Sequence, residues 1–392
     1  MVQTEYDAII IGAGAAGLMA AVIGGRRGKK ILLLERNEQA GKKILISGGG
    51  RCNYTNLNTS GEQFVSKNPH FCKSVLHQWK VQDTISFFKA YGIHPNEKHL
   101  GQLFPEAGKA RDFRDGLLQE ALQYDVEIRY GARVKEVHKS EDLFWVYGLE
   151  DKLSAKKLVV VTGGASIPAM GSTVFALELA KSFGLNLVQD KPGLVPFTGD
   201  ENFLASFGNL SGLSAEVDIS TNSKTFREDI LFTHKGISGP GALQVSSYWE
   251  TGEHVKINFL PETNFQELKE NQPAVTIKSV LSAKLPTRLT EHFLNKFPFA
   301  TLPFREISRK QIHALEEDLH RMKFIPSGTQ GYEKAEVMVG GIDTKGLDGK
   351  TLEVKTIPGL YFGGEALDVT GWLGGYNFQW AWACGYVIGN QL

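Results

Sequence analysis

Near its start the chain reads Asp7-Ala8-Ile9-Ile10-Ile11-Gly12-Ala13-Gly14-Ala15-Ala16-Gly17-Leu18, and further on Lys30-Ile31-Leu32-Leu33-Leu34-Glu35. Residues 7–11 form a short apolar run ending at glycine, residues 15–27 have helical spacing, and residues 30–34 read as a second buried strand closing on Glu35. That order is a β-α-β unit. Gly12, Gly14 and Gly17 have the G-x-G-x-x-G spacing, which is weak alone and strong between a strand and a helix with an acidic residue about 20 positions on. In this context Gly12 permits a tight turn, Gly14 lets a diphosphate approach bare backbone, and Gly17 lets helix and strand pack closely. The helix amino terminus then faces the diphosphate. Glu35 is suited to accept hydrogen bonds from an adenosine ribose, and its charge disfavours a phosphate on that sugar.

Outward from this unit, residues 41–56 read as a Gly-, Lys- and Asn-rich loop, and residues 69–91 as two helices broken near Val81. Residues 111–123 have amphipathic helical spacing, 126–130 read as a strand, and 133–154 as a small antiparallel excursion. Residues 158–161 are a buried strand running into Thr162-Gly163-Gly164, and residues 174–183 a helix stopped by Gly184. From Leu194 to about Leu260 the segments are short, alternating and turn-rich, which predicts antiparallel β structure. Residues 264–320 turn helical, 322–339 return to strands, and 360–392 give a strand, a glycine-rich turn and a last helix. The fold class expected is α/β. A Rossmann-like dinucleotide-binding domain, 1–192 and 336–392, is interrupted by a β-rich substrate domain, 193–261 and 321–335, which carries a helical insertion, 262–320.

Composition narrows the function. The 392 residues carry 43 Lys plus Arg against 43 Asp plus Glu, so the formal net charge is zero. That balance argues against a protein whose main business is gripping a phosphate backbone, and nucleic acid is not expected as a partner. Three cysteines, Cys52, Cys72 and Cys384, with no C-x-x-C pair exclude a disulfide framework, a cysteine metal site and an internal dithiol relay. The apolar stretch 8–25 has acidic residues on its leading flank and is interrupted by glycines, so it reads as strand, turn and helix and not as a membrane anchor. A cytoplasmic protein with no membrane partner and no metal is expected. Glycine, 43 residues or about 11% against a usual ~7%, is the outlier, and the glycines cluster.

One cluster is Ser47-Gly48-Gly49-Gly50-Arg51-Cys52-Asn53, where successive amides can form an anion-binding nest just downstream of Lys42 and Lys43. Others are Thr162-Gly163-Gly164, Gly364-Glu365 after a strand, and Gly374-Gly375-Tyr376-Asn377 leading into the last helix. A helix amino terminus suits negative charge developing on a bound ring, and glycines there suggest that the ring lies against backbone. These segments, in this order, resemble the two-dinucleotide-fold flavoproteins. The whole chain resembles the BaiN-type NAD(P)/FAD-dependent oxidoreductase family, through S-G-G-G-R-C-N-Y-T-N from Ser47, L-F-T-H-K-G-I-S-G-P from Leu231 and G-E-A-L-D-V-T-G-W-L-G-G-Y-N-F-Q-W-A from Gly364.

The resemblance implies FAD as cofactor, with Gly12, Gly14, Ala15, Ala16 and Gly17 at the diphosphate and Glu35, with Arg36 beside it, at the adenosine ribose. It places Lys43 and Ser47, Gly48, Gly49, Gly50, Arg51, Cys52 and Asn53 along the diphosphate, ribityl chain and flavin, and Val134 at the adenine. Thr162, Gly163 and Gly164 fall near the adenosine half, Gly364 and Glu365 near the ribityl or diphosphate, and Gly374, Gly375, Tyr376 and Asn377 at the pyrimidine edge of the flavin. Arg51 and His234 are the candidate catalytic side chains; His234 is either a proton donor facing the flavin or a histidine capping its turn. The activity implied is hydride transfer between flavin N5 and a small organic substrate. With no second G-x-G-x-x-G, NAD(P)H is expected to dock only transiently as reductant. The competing readings are an FAD-dependent tRNA-modifying enzyme and a non-catalytic FAD-binding sensor.

Overall fold

The structure, a computed structural model, describes residues 4–392; the first three residues of the expected first domain lie outside the described residues. The chain divides into two compact units, one ending at Lys191 and resuming at Val337, the other Pro192–Glu336.

The first unit is built on a seven-stranded sheet. Its strands β1 (Thr4–Ile11) and β2 (Ile31–Leu34) flank the helix α1 (Ala15–Arg26). A kinked helix α2 (Lys42–Gly50), short strands β3 (Thr55–Asn56) and β4 (Phe64–Val65), helices α3 (Phe71–Gln78) and α4 (Val81–Lys89), and the pair β5 (Pro95–Glu97) and β6 (Gln102–Pro105) follow. Next come α5 (Ala110–Gln123), β7 (Glu127–Arg129), β8 (Glu136–Ser140), β9 (Leu143–Tyr147), β10 (Leu153–Val160) and α6 (Phe175–Ser182). The sheet order is β7-β2-β1-β10-β9-β8, with the later strand Leu360–Phe362 also on β10. β1 runs parallel to β2 and β10, with Ile11 opposite both Leu34 and Val160, so the first glycine turn sits at the carboxyl ends of three parallel strands. Ligands of open parallel sheets bind there. Ala8, Ile9 and Ile10 are fully buried, as expected of a central parallel strand covered on both faces.

α1 packs against the C-terminal helix Tyr376–Gly389 closely enough that a Cβ on Gly385 would lie 2.5 Å from the Ala16 carbonyl oxygen. Both helices are apolar and buried over most of their surface, which marks helices of the interior.

Residues 41–56 differ from the loop expected. Lys42 to Ile46 make a helical turn around the buried Ile44, then Ser47 turns extended and Gly48 and Gly49 take left-handed conformations. Ile44 is the buried residue of that turn, and the left-handed glycines end it.

The second unit carries an antiparallel seven-stranded sheet in the order Met322–Phe324, Val255–Asn258, Ser214–Ser220, Thr225–Thr233, Gly236–Ser238, Phe197–Thr198, Gly328–Thr329. Alternation is visible in Ser214–Ser220, where Ala215, Val217 and Ile219 are buried and Glu216 is exposed. A helix at Glu201–Phe207, which the alternating pattern hid, is capped by Asp200, whose carboxylate accepts from the Phe203 amide at 2.8 Å. Helices Phe265–Asn271, Ile277–Lys284 and Arg309–His320 are capped by Asn264, Thr276 and Ser308 and close over Phe265, Phe293 and Phe304.

Candidate functional site

The turn from β1 into α1 comes first. A Cβ on Gly17 would lie 1.8 Å from the Gly12 carbonyl oxygen, so helix and turn touch backbone to backbone. Around Gly14 the opposite holds: a Cβ would meet nothing within 4 Å. Gly14 caps α1 without any side-chain hydrogen bond, and no acidic residue occupies the first turn. The helix start therefore keeps its positive end clear on the open side. Beside it, at the end of β10, the Thr162 hydroxyl is buried with no hydrogen-bond partner among the described residues. An uncapped helix start, open space over Gly14 and an orphaned buried hydroxyl fit the diphosphate of a dinucleotide.

Glu35, 8% exposed at the end of β2, has protein duties of its own. Its Oε2 accepts from the Ala13 amide at 3.0 Å, and its Oε1 accepts from the Asn37 amide at 2.9 Å and the Asn37 side chain at 2.7 Å. A carboxylate offers about four acceptor positions, so room remains for a ribose hydroxyl. The Glu35 carbonyl accepts from the Ala132 amide at 2.9 Å, which brings the segment containing the half-buried Val134 toward this end of the sheet. Arg36, Asn37, Lys42 and Arg133 line a polar depression there.

Lys43 projects from α2 into a three-membered cluster. Its Nζ donates to Glu365 Oε2 at 2.7 Å and to Ser166 Oγ at 2.6 Å, while Ser166 Oγ donates to Glu365 Oε1 at 2.6 Å. The Met338 amide also donates to Glu365 Oε1, at 3.1 Å. A Cβ on Gly163 would stand 3.5 Å from Glu365 Oε2, so this cluster adjoins the Thr162-Gly163-Gly164 turn. Ser166 was invisible as a site residue in the sequence: it has no motif of its own and matters only because the fold brings Lys43 and Glu365 to it.

Gly48, Gly49, Gly50 and Cys52 all have positive φ, at 55°, 66°, 81° and 64°. The curl closes on itself: the Cys52 amide donates to the Ser47 carbonyl at 3.0 Å and the Arg51 amide to the Gly48 carbonyl at 3.4 Å, so those two amides are not offered to an anion. Cys52 itself is fully buried, and burial pushes its thiol up to about 12, so it is a packed apolar residue and not a thiolate at neutral pH. Arg51 donates to the Pro105 carbonyl at 3.1 Å and lies over the Phe104 ring at 5.7 Å. Asn53 sits 3.1 Å from the Gln102 side chain.

At the last helix, Gly375 has φ 99°, and a Cβ there would meet the Thr55 carbonyl oxygen at 2.4 Å. The glycine is required by the chain's own β3, whatever ring lies beyond it. Asn377 uses its side chain to close the turn before the helix, accepting from the Gly371 amide and donating to the Gly371 carbonyl, both at 2.8 Å. Asn56 donates to the Gly374 carbonyl at 2.8 Å. Deeper in, Gln379 accepts from Thr55 Oγ1 at 2.7 Å and Thr84 Oγ1 at 2.8 Å and donates to the Trp79 carbonyl at 3.0 Å. The glycine segments 48–50 and 374–375 are thus held to one another through β3 and β6, within the first unit. The Gly364 carbonyl accepts from Trp380 Nε1 at 3.0 Å, and a Cβ on Gly364 would touch Ala16 at 3.5 Å, so this turn also reaches the start of α1.

His234 lies in the second unit, exposed at the turn between Thr225–Thr233 and Gly236–Ser238. Thr233, not His234, caps that turn, donating from Oγ1 to the Gly236 carbonyl at 3.1 Å and accepting from the Lys235 amide at 3.2 Å. Among the described residues no group of three metal-ligating side chains is assembled, and no helix is long and apolar enough to cross a membrane.

A mixed sheet with a parallel core, a glycine turn and an acidic residue at the carboxyl ends of its parallel strands, over an uncapped helix, defines a Rossmann-type FAD-binding flavoprotein of the oxidoreductase class. The chain belongs to the family described as HI0933-like protein Rossmann domain, whose model matches residues 6–391. It is 41% identical to a protein named ribosomal RNA dihydrouridine synthase from Escherichia coli (strain K12), over 99% of this chain and 98% of that one. It is 29% identical to a 3-dehydro-bile acid delta(4,6)-reductase from Clostridium scindens, over 97% of each chain. Its fold is also that of a 3-ketosteroid-delta4-(5alpha)-dehydrogenase from Rhodococcus jostii RHA1, with a TM-score of 0.53 and 13% identity over 98% of this chain and 96% of that one.

The first of these relatives overturns the expectation that nucleic acid is not a partner, since a protein so similar along its whole length is named for a ribosomal RNA substrate. The inference from charge failed for a physical reason. A net charge of zero is a sum over the chain, whereas contact with a few phosphates needs only a few cations in one place.

Proposed function

We propose that this protein is an FAD-dependent reductase that saturates the C5–C6 double bond of a uridine in ribosomal RNA, with NAD(P)H as the electron source. The observation that carries this reading is the 41% identity, end to end, with the protein named ribosomal RNA dihydrouridine synthase. The bile-acid relative supports the same chemistry on another scaffold. In both names the bond concerned is a carbon–carbon double bond conjugated to a carbonyl, and its reduction adds a hydride equivalent and a proton.

When bound, FAD supplies the hydride equivalent from its N5. The residues of this chain supply position and charge. In this reading the amides from Gly14 to Gly17 at the start of α1 would meet the diphosphate, and the Thr162 hydroxyl would gain the partner it lacks. The Gly12 and Ala13 amides are already bonded to the Leu34 carbonyl and Glu35. Glu35 takes the adenosine ribose with its remaining acceptor capacity, and Val134 offers backbone to the adenine. Lys43, held by Glu365 and Ser166, would offer its ammonium as a hydrogen-bond donor beside the diphosphate and ribityl chain, its charge balanced by Glu365. The segments Gly48–Gly50 and Tyr376–Asn377 would lie beside the ring, with the start of the last helix toward its pyrimidine edge.

A second reading, a BaiN-type reductase of a small conjugated ketone, is favoured by the bile-acid relative. One experiment separates them. The FAD-loaded protein and NADPH are given either ribosomal RNA lacking the modification or a 3-keto-4,6-diene steroid. Dihydrouridine is then measured in digested RNA by mass spectrometry, and NADPH loss is followed by absorbance. Dihydrouridine accumulating only with protein and NADPH supports the first reading; rapid dienone reduction with no dihydrouridine replaces it with the second.

A further inference from the structure

The two glycine segments of the candidate site are bridged by one face of a small sheet whose outer edge, Arg51 apart, the cofactor assignment leaves unused. On β6, Phe104 and Gln102 point to the same side, since residues two apart on a strand share a face. Phe104 Cε1 stands 2.7 Å from where a Cβ on Gly48 would be, and Gln102 Nε2 stands 3.1 Å from the corresponding point on Gly374. Next to β6 runs β5, the edge strand of the three-stranded order β3-β6-β5, with Asn96 opposite Phe104. Beyond it Lys98 lies over the Phe104 ring at 4.5 Å, and Arg51 lies over the same ring at 5.7 Å. Among the described residues neither cation has a carboxylate partner. Two cations without an ion-pair partner thus share one aromatic ring beside the candidate site.

The tip of this hairpin is the second observation. Leu100 is 46% exposed and held at φ 56°, a left-handed conformation unfavourable for a bulky side chain. Asn56 and Asn58 hold it there, each donating from its side chain to the Leu100 carbonyl, at 3.1 and 3.2 Å. Leu57, also 46% exposed, is tied alongside by its amide to the Gly101 carbonyl at 2.9 Å. Three hydrogen bonds thus hold two exposed leucines at the tip of the hairpin that carries Lys98. Cations meet the phosphates of single-stranded RNA, and exposed leucines can cover the face of an unstacked base by removing both apolar surfaces from water.

We propose that the β5–β6 hairpin, through Lys98, Arg51 and the Leu57–Leu100 platform, is a docking surface for single-stranded RNA beside the candidate flavin site. The proposal rests on the reading of the protein as an RNA-modifying reductase.

The test measures binding of a short, fluorescein-labelled, uridine-rich single-stranded oligoribonucleotide to the FAD-loaded full chain by anisotropy, over a salt series. Lys98→Gln is expected to weaken binding several-fold and to reduce the slope of log Kd against log salt by about 1. Leu100→Gly suits the left-handed backbone and removes the apolar side chain, so it should weaken binding without lowering Tm. Both variants should oxidise NADPH with a small dye acceptor at the wild-type rate, because neither side chain belongs to the cofactor cradle. Wild-type RNA binding with unchanged Kd and salt slope in both variants would overturn the docking surface and leave the RNA-reductase reading standing. Absence of wild-type binding to this RNA and to ribosomal RNA alike would overturn both. Weakening by Lys98→Gln with no effect of Leu100→Gly would refute the apolar platform and reduce the surface to a general polyanion contact.

Discussion

Gly14→Ala and Gly375→Ala should fail in opposite ways, because the two glycines are glycine for different reasons. A methyl at Gly14 meets nothing within 4 Å, and the backbone there has φ −80°, which alanine adopts freely. Apo stability should therefore be unchanged or higher by about 0.4–1 kcal/mol, from the smaller entropy of the unfolded chain. FAD affinity should fall, since the methyl would enter the space proposed for the diphosphate. At Gly375 the φ of 99° is left-handed, and the methyl would press on the Thr55 carbonyl at 2.4 Å and on Asn53 Oδ1 at 2.8 Å. The conformation costs about 1–2 kcal/mol and the overpacking about 1–3 kcal/mol. The sum, about 2–5 kcal/mol, lowers Tm by at least ~4 °C in a unit of this size. The assay is thermal unfolding of apo protein stripped of FAD, together with FAD titration by fluorescence quenching. An apo Gly375→Ala that melts within ~2 °C of wild type, where the stability arithmetic demands more, would refute the claim that β3 requires this glycine. An apo Gly14→Ala as unstable as Gly375→Ala would refute the claim that space over Gly14 is open.

Denatured protein should release FAD and no FMN, seen by chromatography, since FMN has neither the second phosphate nor the adenosine that the Gly12–Gly17 turn and Glu35 are arranged to meet. Glu35→Ala should weaken FAD about ten- to a hundredfold, as expected for losing a charge-assisted hydrogen bond. It should also destabilise the apo protein, because the Ala13 and Asn37 amides lose their acceptor; Glu35→Gln should restore the apo Tm more than the FAD affinity. Burial raises the Asp368 carboxyl above its ordinary 3.8, against the opposing hydrogen bonds from the Lys67 amide and Ser66. A raised folded-state value means that its contribution to stability is complete at acid pH and is lost as pH rises through that value. Asp368→Asn should therefore gain stability relative to wild type as pH is raised, measured by urea unfolding at several pH values; a difference constant with pH would contradict this. Burial pushes the thiols of Cys52 and Cys72 up, to about 12 and about 11, and that of Cys384 up as well. Native protein at pH 8 should resist iodoacetamide at all three, and mass spectrometry should find labelling only after denaturation.

Local chemistry made much of this protein legible from its sequence alone. The Gly12–Gly17 turn, the acid closing β2, the break between α3 and α4 at Val81 and the alternating strands after residue 192 are each written within a few consecutive residues. Hydrophobic period and glycine placement act over that same range. The Rossmann-type FAD-binding fold and the flavoprotein class followed from such segments, whereas the family shown is the HI0933-like one and not specifically the BaiN type. What the tertiary structure decided depends on residues far apart in the chain. Only folding brings Thr55 against Gly375, Ser166 between Lys43 and Glu365, and Phe104 against Gly48 with Lys98 on its ring. A glycine that looks shaped for a ligand can then prove to be shaped for a carbonyl more than three hundred residues away. Charge behaves alike: composition reports only its sum, and the fold determines which cations are paired away, as Lys43 is with Glu365, and which are left free at the rim, as Lys98 is.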